Sequence, residues 1–163
     1  MGIEVEEIFF KIKPLDKKFL ETNIDGFTGI LKGIEHEYWE RQHFLLDLPA
    51  KWVYSLVALD ASGKIIGYVI ASKKDSHIHI HKFMIEKTVR DLGLGRELLA
   101  YLCNKCIDDN IEAISLKVYK DNTRAIKFYE KYGFKHTCVE KDELLKMVAT
   151  PEKIKAQVKG QVK

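Results

Sequence analysis

The sequence predicts one domain of the mixed α/β class, an α+β fold built on a sheet of six or seven strands with about four helices. Its 163 residues are about the length of one domain. Three consecutive strand-like runs with tight turns predict an antiparallel meander. The helix–strand–helix–strand order that follows predicts a crossover onto the same sheet. Residues 1–150 are expected to form this domain, and residues 151–163 a basic tail that frays.

The first fifty residues are predicted to form one strand and two helices. Residues 4–12 alternate weakly between polar and apolar, which indicates a strand that Pro14 ends. The apolar residues between positions 19 and 31 indicate a broken helix. Residues 34–46 carry apolar side chains at three- and four-residue steps, as an amphipathic helix does.

The middle of the chain is predicted to form the meander. Three runs rich in β-branched and aromatic residues are joined by turns that contain Gly63 and Asp75. The runs are residues 53–59, 64–72 and 76–85. Their alternation and short turns are typical of neighbouring antiparallel strands.

After Gly95 the apolar period becomes helical, with one stripe that includes Leu98, Leu102 and Cys106. Residues 113–119 alternate again and predict a strand. Asn122 is a typical N-cap for the next helix, which is expected to end at the C-cap glycine Gly133. Residues 134–148 should form a last strand or a pair of strands.

The composition excludes several classes of protein. With 27 Lys and Arg against 24 Asp and Glu, the net charge of +3 is too small to predict nucleic-acid binding. No apolar stretch approaches a membrane span, and the N-terminus does not resemble a signal peptide. The three cysteines are too few for a disulfide framework, and Cys103 and Cys106 are expected to be buried apolar residues on one helix. A cytoplasmic protein without membrane contact is therefore expected.

The most informative segment is the loop that joins the third meander strand to the next helix. Arg90, Gly93 and Gly95 are spaced Arg-x-x-Gly-x-Gly, and glycines at such a junction let backbone N–H groups approach a phosphate. A dinucleotide-binding fold would instead place its glycines after an early strand, with an acidic residue about 20 positions later. A purely structural turn would also explain the glycines.

Together with a second block, this loop resembles the acetyl-CoA-binding motif of the GCN5-related N-acetyltransferase (GNAT) superfamily. The second block, residues 122–134 (NTRAIKFYEKYGF), is similar to that superfamily's N-x-x-A-x-x-[FL]-Y-[EQ]-K-x-G-F run. The two blocks occur in the superfamily's order and spacing. The clear match covers about residues 53–134, and the first fifty residues agree in element order only.

The resemblance implies a site for acetyl-CoA between two strands that splay apart. The pyrophosphate would be cradled by the 90–96 loop, the pantetheine arm would pair with the strand before it, and the N–H of Phe83 would polarise the acetyl carbonyl. Asn122 would cap its helix and face the cofactor. The implied cofactor-binding residues are Phe83, Met84, Ile85, Arg90, Asp91, Leu92, Gly93, Leu94, Gly95, Arg96 and Asn122.

Three residues are candidates for proton transfer. His79 and His81 alternate on one strand face with His77, and their ordinary pKa near 6.5 suits a proton acceptor at neutral pH. They resemble the His-x-His of arylalkylamine N-acetyltransferases, and Tyr129 matches the superfamily's tyrosine general acid. Each residue has an alternative interpretation: Tyr129 as core, the histidines as cleft lining or as zinc ligands. No further ligand is identifiable, so no metal is expected.

Residues 35–43 contain an acidic cluster that includes Glu35, Glu37 and Glu40. On the predicted second helix these side chains would form a solvated face, which is the favoured interpretation. In the superfamily this helix borders the acceptor cleft, so an acidic wall suited to a cationic amine is the alternative.

The implied function is transfer of an acetyl group from acetyl-CoA to a primary amine, directly and in a ternary complex. The histidines slightly favour a small-molecule amine as acceptor. A protein N-terminus or lysine is the alternative, and so is a regulatory domain that binds acyl-CoA without turnover. Many members of the superfamily dimerise, so a homodimer is compatible with the resemblance.

Overall fold

The chain forms one mixed sheet with helices on both faces, in a computed structural model that describes residues 9–139 and 141–160. The spatial order of the strands is β1-β2-β3-β4-β5-β7-β6, and only β4 and β5 run parallel. The strands are β1 (Phe10–Pro14), β2 (Leu56–Asp60), β3 (Ile65–Lys74), β4 (His77–Ile85), β5 (Ala113–Tyr119), β6 (Lys135–Val139) and β7 (Leu144–Ala149). The seven strands and the mixed α/β class confirm the predicted fold.

The described residues form seven α-helices, where the sequence predicted about four. They are α1 (Lys17–Thr22), α2 (Ile24–Leu31), α3 (Arg41–Leu45), α4 (Lys51–Tyr54), α5 (Leu94–Asp108), α6 (Thr123–Lys131) and α7 (Pro151–Gly160). The difference comes mainly from α1, α3 and α4, which have only four to six residues each. Helices this short hold fewer than two turns and leave almost no 3.6-residue period in a sequence.

The helix predicted over residues 34–46 is wrong for most of its length. Residues 34–40, called the strap below, are turns and irregular chain, and only Arg41–Leu45 is helical. His36 is left-handed with φ 68°, which no continuous α-helix accommodates. The helix begins instead at Glu40, whose backbone N–H donates to His43 Nδ1 at 2.9 Å. Ile34 and Trp39 of the strap instead pack against buried hydrophobic residues, while Tyr38 is exposed.

The C-terminal tail does not fray over residues 151–160, so that prediction is wrong there, while residues 161–163 lie outside the described chain. Helix α7 packs against α5, and Ile154 is fully buried. Thr150 caps it by accepting a hydrogen bond from Lys153 N at 3.2 Å, and Pro151 occupies the first turn. The Thr-Pro pair was the local signal for this helix.

The sheet separates two hydrophobic cores. The larger lies on the face covered by α5 and includes the buried pair Cys103 and Cys106, as the sequence predicted. The smaller lies on the other face, beneath α1–α3, and draws its sheet residues from β2, β3 and β4. None of its described members belongs to β5, β6 or β7. No helix of the described residues therefore contributes to the hydrophobic core on that half of the second face.

Strand β1 extends to Pro14, the residue predicted to end it. The other boundaries of the central strands agree with their predicted runs to within a few residues, and β5 matches its run completely. Residues 4–8 of the first predicted strand lie outside the described chain. No helix in the described ranges is long and apolar enough to cross a lipid bilayer.

Candidate active site

A cleft lies in a gap between β4 and β5. The two strands pair in parallel from His77 opposite Ala113 to Ile80 opposite Leu116. Beyond that point β4 continues to residue 85 and β5 to residue 119, but the two strands no longer pair with each other. The resulting cleft has a volume of about 900 Å³. This is the splay that the sequence resemblance implied.

A bulge in β4 lies at the start of the gap. Ile70 of β3 pairs with Lys82 and Ala71 pairs with Ile80, so His81 is an extra residue without a cross-strand partner. A bulge re-aims the side chains near it and increases the local twist. His81 lines the cleft, whereas His79, two residues earlier in the regular part of the strand, does not.

One half of the cleft, the cofactor half, is formed by the 90–96 loop and the first turn of α5. Asp91 and Gly93 both have positive φ, 66° and 88°, a backbone conformation found in loops whose N–H groups bind anions. The Arg96 Nε atom is buried and has no hydrogen-bond partner among the described residues. An orphaned cationic donor beside the start of a fifteen-residue helix suits a phosphate group.

Gly95 is needed for packing rather than for backbone freedom. A Cβ atom at this position would lie 3.0 Å from Phe128 Cε1 and 3.1 Å from Phe128 Cζ. The Phe128 ring in turn contacts Phe83, with ring centroids 5.6 Å apart. The two glycines of the loop therefore act differently: Gly93 supplies the turn, and Gly95 lets α5 and α6 approach each other.

Helix α6 adds cations that the sequence analysis did not single out. Arg124, Lys127 and Lys131 line the cofactor half, and Arg124 forms an ion pair with Asp91 at 3.0 Å. Their three- and four-residue spacing along one helix was the available signal. The Asn122 side chain accepts a hydrogen bond from Ala125 N at 3.2 Å and also lines the cleft, as predicted for a cap at this position.

The structure brings most of the predicted cofactor-binding residues to this cleft. Leu92 is the exception: it does not line the cleft, and 47% of its surface is exposed. The residues that do line it are Phe83, Met84, Ile85, Arg90, Asp91, Gly93, Leu94, Gly95, Arg96 and Asn122.

Tyr129 belongs to the hydrophobic core and also contributes to the cleft. Its ring packs edge-on against Phe83 and Phe134, with centroids 6.1 and 5.4 Å away, and only 8% of the residue is exposed. It nevertheless lines the cleft. Burial and the negative charge of Glu37 raise its pKa well above the ordinary value of a phenol. A tyrosine in this setting keeps its proton at neutral pH.

The other half of the cleft, the acceptor half, is formed by the strap together with His81, Lys82 and the end of β5. Glu37 of the strap forms an ion pair with Lys82. The Lys82 ammonium also lies over the Trp39 ring, 5.1 Å from its centroid, and near Tyr38 at 5.9 Å. This half of the cleft therefore already surrounds an alkylammonium group with a carboxylate and two aromatic rings.

The solvated interpretation of the acidic cluster fails for Glu37 and holds for its neighbours. Glu35 and Glu40 are exposed, but the Glu37 side chain is only 21% exposed. Lys82 was overlooked although it follows the His-x-His motif directly. No spacing rule could have paired it with Glu37, because the two residues are 45 positions apart and lie in different elements.

The two central histidines are held by serines on neighbouring strands. His79 Nδ1 is hydrogen-bonded to Ser115 Oγ at 2.9 Å, and His81 Nε2 to Ser72 Oγ at 2.7 Å. Their rings touch edge-on, with centroids 4.9 Å apart. Burial lowers the pKa of His79 to about 4, helped by the charges of His81, Lys117 and Lys146. Burial, with the charge of Lys51, also lowers the pKa of His81. Both rings are neutral at pH 7.

A stack of rings ties the strap to β5. His36 lies flat on Tyr119, with centroids 3.8 Å apart and an interplanar angle of 12°, and its Nε2 atom is 3.4 Å from Asp121 Oδ2. Glu35, His36 and Asp121 form the only cluster of potential metal ligands in the described chain, and all three residues are exposed. The His79–His81 pair belongs to no such cluster there. The stack and the contact with Asp121 join the strap to the end of β5.

Comparison with known proteins agrees with this geometry. A family model described as the acetyltransferase (GNAT) family matches residues 20–134. An uncharacterized N-acetyltransferase of Methanocaldococcus jannaschii is 31% identical over 128 residues, which cover 73% of this chain and 76% of that protein. The catalytic subunit ard1 of the N-terminal acetyltransferase A complex of Schizosaccharomyces pombe is 27% identical, over 65% of this chain and 66% of its own length.

Other similar proteins differ in their acceptors. A probable spermine N(1)-acetyltransferase of Bacillus subtilis subsp. natto is 24% identical over 50% of this chain and 59% of its own length. Among solved structures, Ard1 from Thermoplasma volcanium has a TM-score of 0.73 at 27% identity, covering 86% of this chain and 97% of that one. Proteins that act on polypeptides and on polyamines are thus both similar to this chain.

Proposed function

Because the chain belongs to the acetyltransferase (GNAT) family and is an acetyl-CoA-dependent N-acetyltransferase, we propose that its acceptor is the free α-amino group of a polypeptide. The observation that carries this proposal is the acceptor half of the cleft, where Glu37 already binds the ammonium group of Lys82. Lys117 and Tyr119 also line the cleft, next to the half of the sheet on which the described helices α1–α3 do not pack. An extended chain has room there behind its amino group.

The Lys82 ammonium marks the position in which an acceptor ammonium would bind. Glu37 would exchange Lys82 for the incoming amine, and Trp39 and Tyr38 would flank the same charge. Glu37 and Tyr129 line the same cleft, and the charge of Glu37 helps to raise the pKa of Tyr129. An amine bound to Glu37 would therefore enter the cleft that holds the tyrosine.

Proton transfer is easier with an α-amine than with a side-chain amine. An α-amino group with a pKa near 8 is about one-tenth neutral at pH 7, whereas a lysine amine with a pKa near 10.4 is below one part in a thousand. His81, neutral and lining the cleft, would accept the proton that the amine loses. Tyr129, which retains its own proton, would donate to the departing sulfur. His79 does not line the cleft, so it would act through His81.

The cofactor half has the groups that acetyl-CoA needs. When bound, acetyl-CoA supplies an activated acetyl thioester. The N–H groups of the 90–96 loop and the unpartnered Arg96 Nε would hold its pyrophosphate, and the cations on α6 would attract its remaining phosphate. Pairing of the pantetheine arm with residues 83–85, and donation by the N–H of Phe83 to the acetyl carbonyl, remain predictions.

The small-molecule acceptor favoured by the sequence is the second candidate. The similarity to a probable spermine N(1)-acetyltransferase, and the carboxylate and rings around Lys82, also suit a polyamine. A regulatory domain without turnover would gain nothing from neutral His81 and protonated Tyr129 in one cleft.

Acetylation of a matched acceptor panel tests the proposal. The panel contains a peptide that begins with Ser, the same peptide blocked at its α-amine but carrying an internal Lys, and spermine. Thiol release gives the rate, and mass spectrometry locates the added acetyl group. We expect the free peptide to be acetylated on its α-amine with a kcat/KM at least tenfold above the other two. Equal or faster acetylation of spermine or of the blocked peptide would contradict the proposal.

A further inference from the structure

A group of lysines lies on the half of the sheet formed by β5, β6 and β7, beside the acceptor half of the cleft. Lys117 of β5 pairs directly with Lys146 of β7 in the antiparallel ladder. Their neighbours Leu116 and Met147 are buried in the core beneath α5. Since side chains alternate along a strand, both lysines project to the opposite face. Residues directly opposite each other in such a pair have Cβ atoms about 5 Å apart.

A third lysine extends this group. Lys135 of β6 pairs with Val148, two residues after Lys146 and on the same face of β7. Lys117 and Lys135 are exposed, and Lys146 is half-buried. We call Lys117, Lys146 and Lys135 the lysine patch.

The lysine patch has no counter-charge in the part of the chain that the structure describes. No carboxylate there lies within 4.0 Å of any of the three ammonium groups. Like charges directly opposite each other in a sheet are destabilising. The positive field also reaches inward, because Lys117 and Lys146 both help to lower the pKa of His79. An external anion would relieve this repulsion.

The lysine patch is continuous with the cleft. Lys117 itself lines the cleft with Tyr119 and His81, and Lys146 is the next side chain across the sheet. Helices α1–α3 cover the sheet only as far as β4, so an extended chain that leaves the cleft can lie over β5 and β7. Each residue of an extended chain spans about 3.4 Å, so the residues just behind the acceptor amine would reach the patch.

We propose that the lysine patch selects polypeptide acceptors with acidic residues immediately after the acetylated amino group. This inference rests on the proposed function and adds sequence preference to it. Lys117 and Lys146 would pair with Asp or Glu side chains near the second to fourth positions, and Lys135 with positions further along. An exposed ion pair contributes up to about 1 kcal/mol, which is about fivefold in affinity.

Three peptides that differ only at positions two to four test the inference. They begin Ser-Glu-Glu-Glu, Ser-Gln-Gln-Gln and Ser-Lys-Lys-Lys. We expect the natural protein to acetylate the Glu peptide with a kcat/KM roughly tenfold above the Gln peptide, and the Lys peptide more slowly than both. The ratio of kcat/KM between the Glu peptide and the Gln peptide should fall severalfold in 0.5 M salt, because salt screens exposed charges. Equal kcat/KM for the Glu and Gln peptides would overturn the inference.

A double charge reversal assigns the preference to the lysine patch. In K117E/K146E the order should reverse, with the Lys peptide fastest and the acetyl-CoA KM unchanged. The matched control K18E/K155E has the same net charge but changes exposed residues of α1 and α7, and it should keep the natural order. An unchanged order in K117E/K146E would overturn the inference. If the double variant folds poorly, the single variant K146Q tests the same point. It should lose about half of the preference for the Glu peptide over the Gln peptide, and an unchanged preference would overturn the inference.

The peptides also separate this inference from the proposed function. If the Gln peptide is acetylated as well as the Glu peptide, the acceptor class stands and only the acidic preference is wrong. If no peptide is acetylated while spermine is, the proposed function fails, and the inference fails with it.

Discussion

The two halves of the cleft are built in different ways. The cofactor half centres on one contiguous stretch, residues 90–96, whose backbone depends on the positive φ of Gly93 and the close approach at Gly95, and cations of α6 also line it. The acceptor half is assembled from side chains of the strap, the β4 bulge and the end of β5. Changes to the backbone should therefore damage cofactor binding, and side-chain changes should damage acceptor use.

The largest effect is expected at Tyr129, where the two halves meet. Tyr129→Phe removes the hydroxyl but keeps the packed ring, so kcat should fall about 100-fold, the usual scale of general-acid catalysis, while acetyl-CoA affinity is unchanged. Calorimetric titration and steady-state kinetics measure the two quantities. Tyr101→Phe, an exposed position on α5, is the control. An unchanged kcat in Tyr129→Phe would remove the tyrosine from the proton path.

Glu37→Gln tests the acceptor half alone. The amide keeps the shape of the side chain but no longer attracts a cation, so kcat/KM for the peptide should fall about 30-fold through a higher peptide KM. The KM for acetyl-CoA should not change. Glu35→Gln, two residues away and exposed, is the matched control. If the two variants have the same peptide KM, Glu37 does not bind the amine.

Gly93→Ala tests the cofactor half alone. A side chain at φ 88° is strained by about 1–2 kcal/mol, and relief of that strain would move the N–H groups of the loop. The Kd for acetyl-CoA should rise about tenfold. Gly63→Ala is the matched control. Gly63 also has a positive φ, 87°, but an added methyl group there meets open space and the residue does not line the cleft. A loss of acetyl-CoA affinity in both variants would point to general destabilisation.

The smallest effect is expected at His81 and depends on pH. Its pKa is lowered, so the ring stays neutral at pH 7 and becomes protonated only below its ordinary value of 6.5. His81→Gln should therefore reduce kcat/KM by a factor of about 3–5 above pH 6.5, because an α-amine is already about one-tenth neutral at pH 7. At lower pH the natural protein loses its acceptor, and the rates should converge. Equal kcat/KM for His81→Gln and the natural protein above pH 6.5 would exclude His81 as the acceptor.

The same contrast explains what the sequence could predict. The cofactor half was predictable because its signals are local: Arg90, Gly93 and Gly95 are within six residues, and Asn122 caps the helix that carries Tyr129. The sheet was predictable from alternation and turns. Glu37 was predicted to lie on a solvated helix face, and this prediction is wrong because His36 interrupts the helix. Apolar spacing does not reveal a single left-handed residue.

The remaining features depend on contacts between distant segments. His81 lines the cleft and His79 does not, and a bulge lies at His81 in the pairing of β4 with β3. The sequence of residues 77–85 alone gives no signal for this bulge. The pairing of Glu37 with Lys82 and of Lys117 with Lys146 arises only when the strap and strands are assembled. Helix α7, by contrast, had a local signal in Thr150 and Pro151 that compositional bias obscured.

The most direct test of the two-half account is a comparison of Gly93→Ala and Glu37→Gln, with KM measured for both substrates in both variants. The account predicts a crossed result: a higher acetyl-CoA KM with an unchanged peptide KM in Gly93→Ala, and the reverse in Glu37→Gln. If each variant raises both KM values by similar factors, the two halves are not separate sites and the account is wrong.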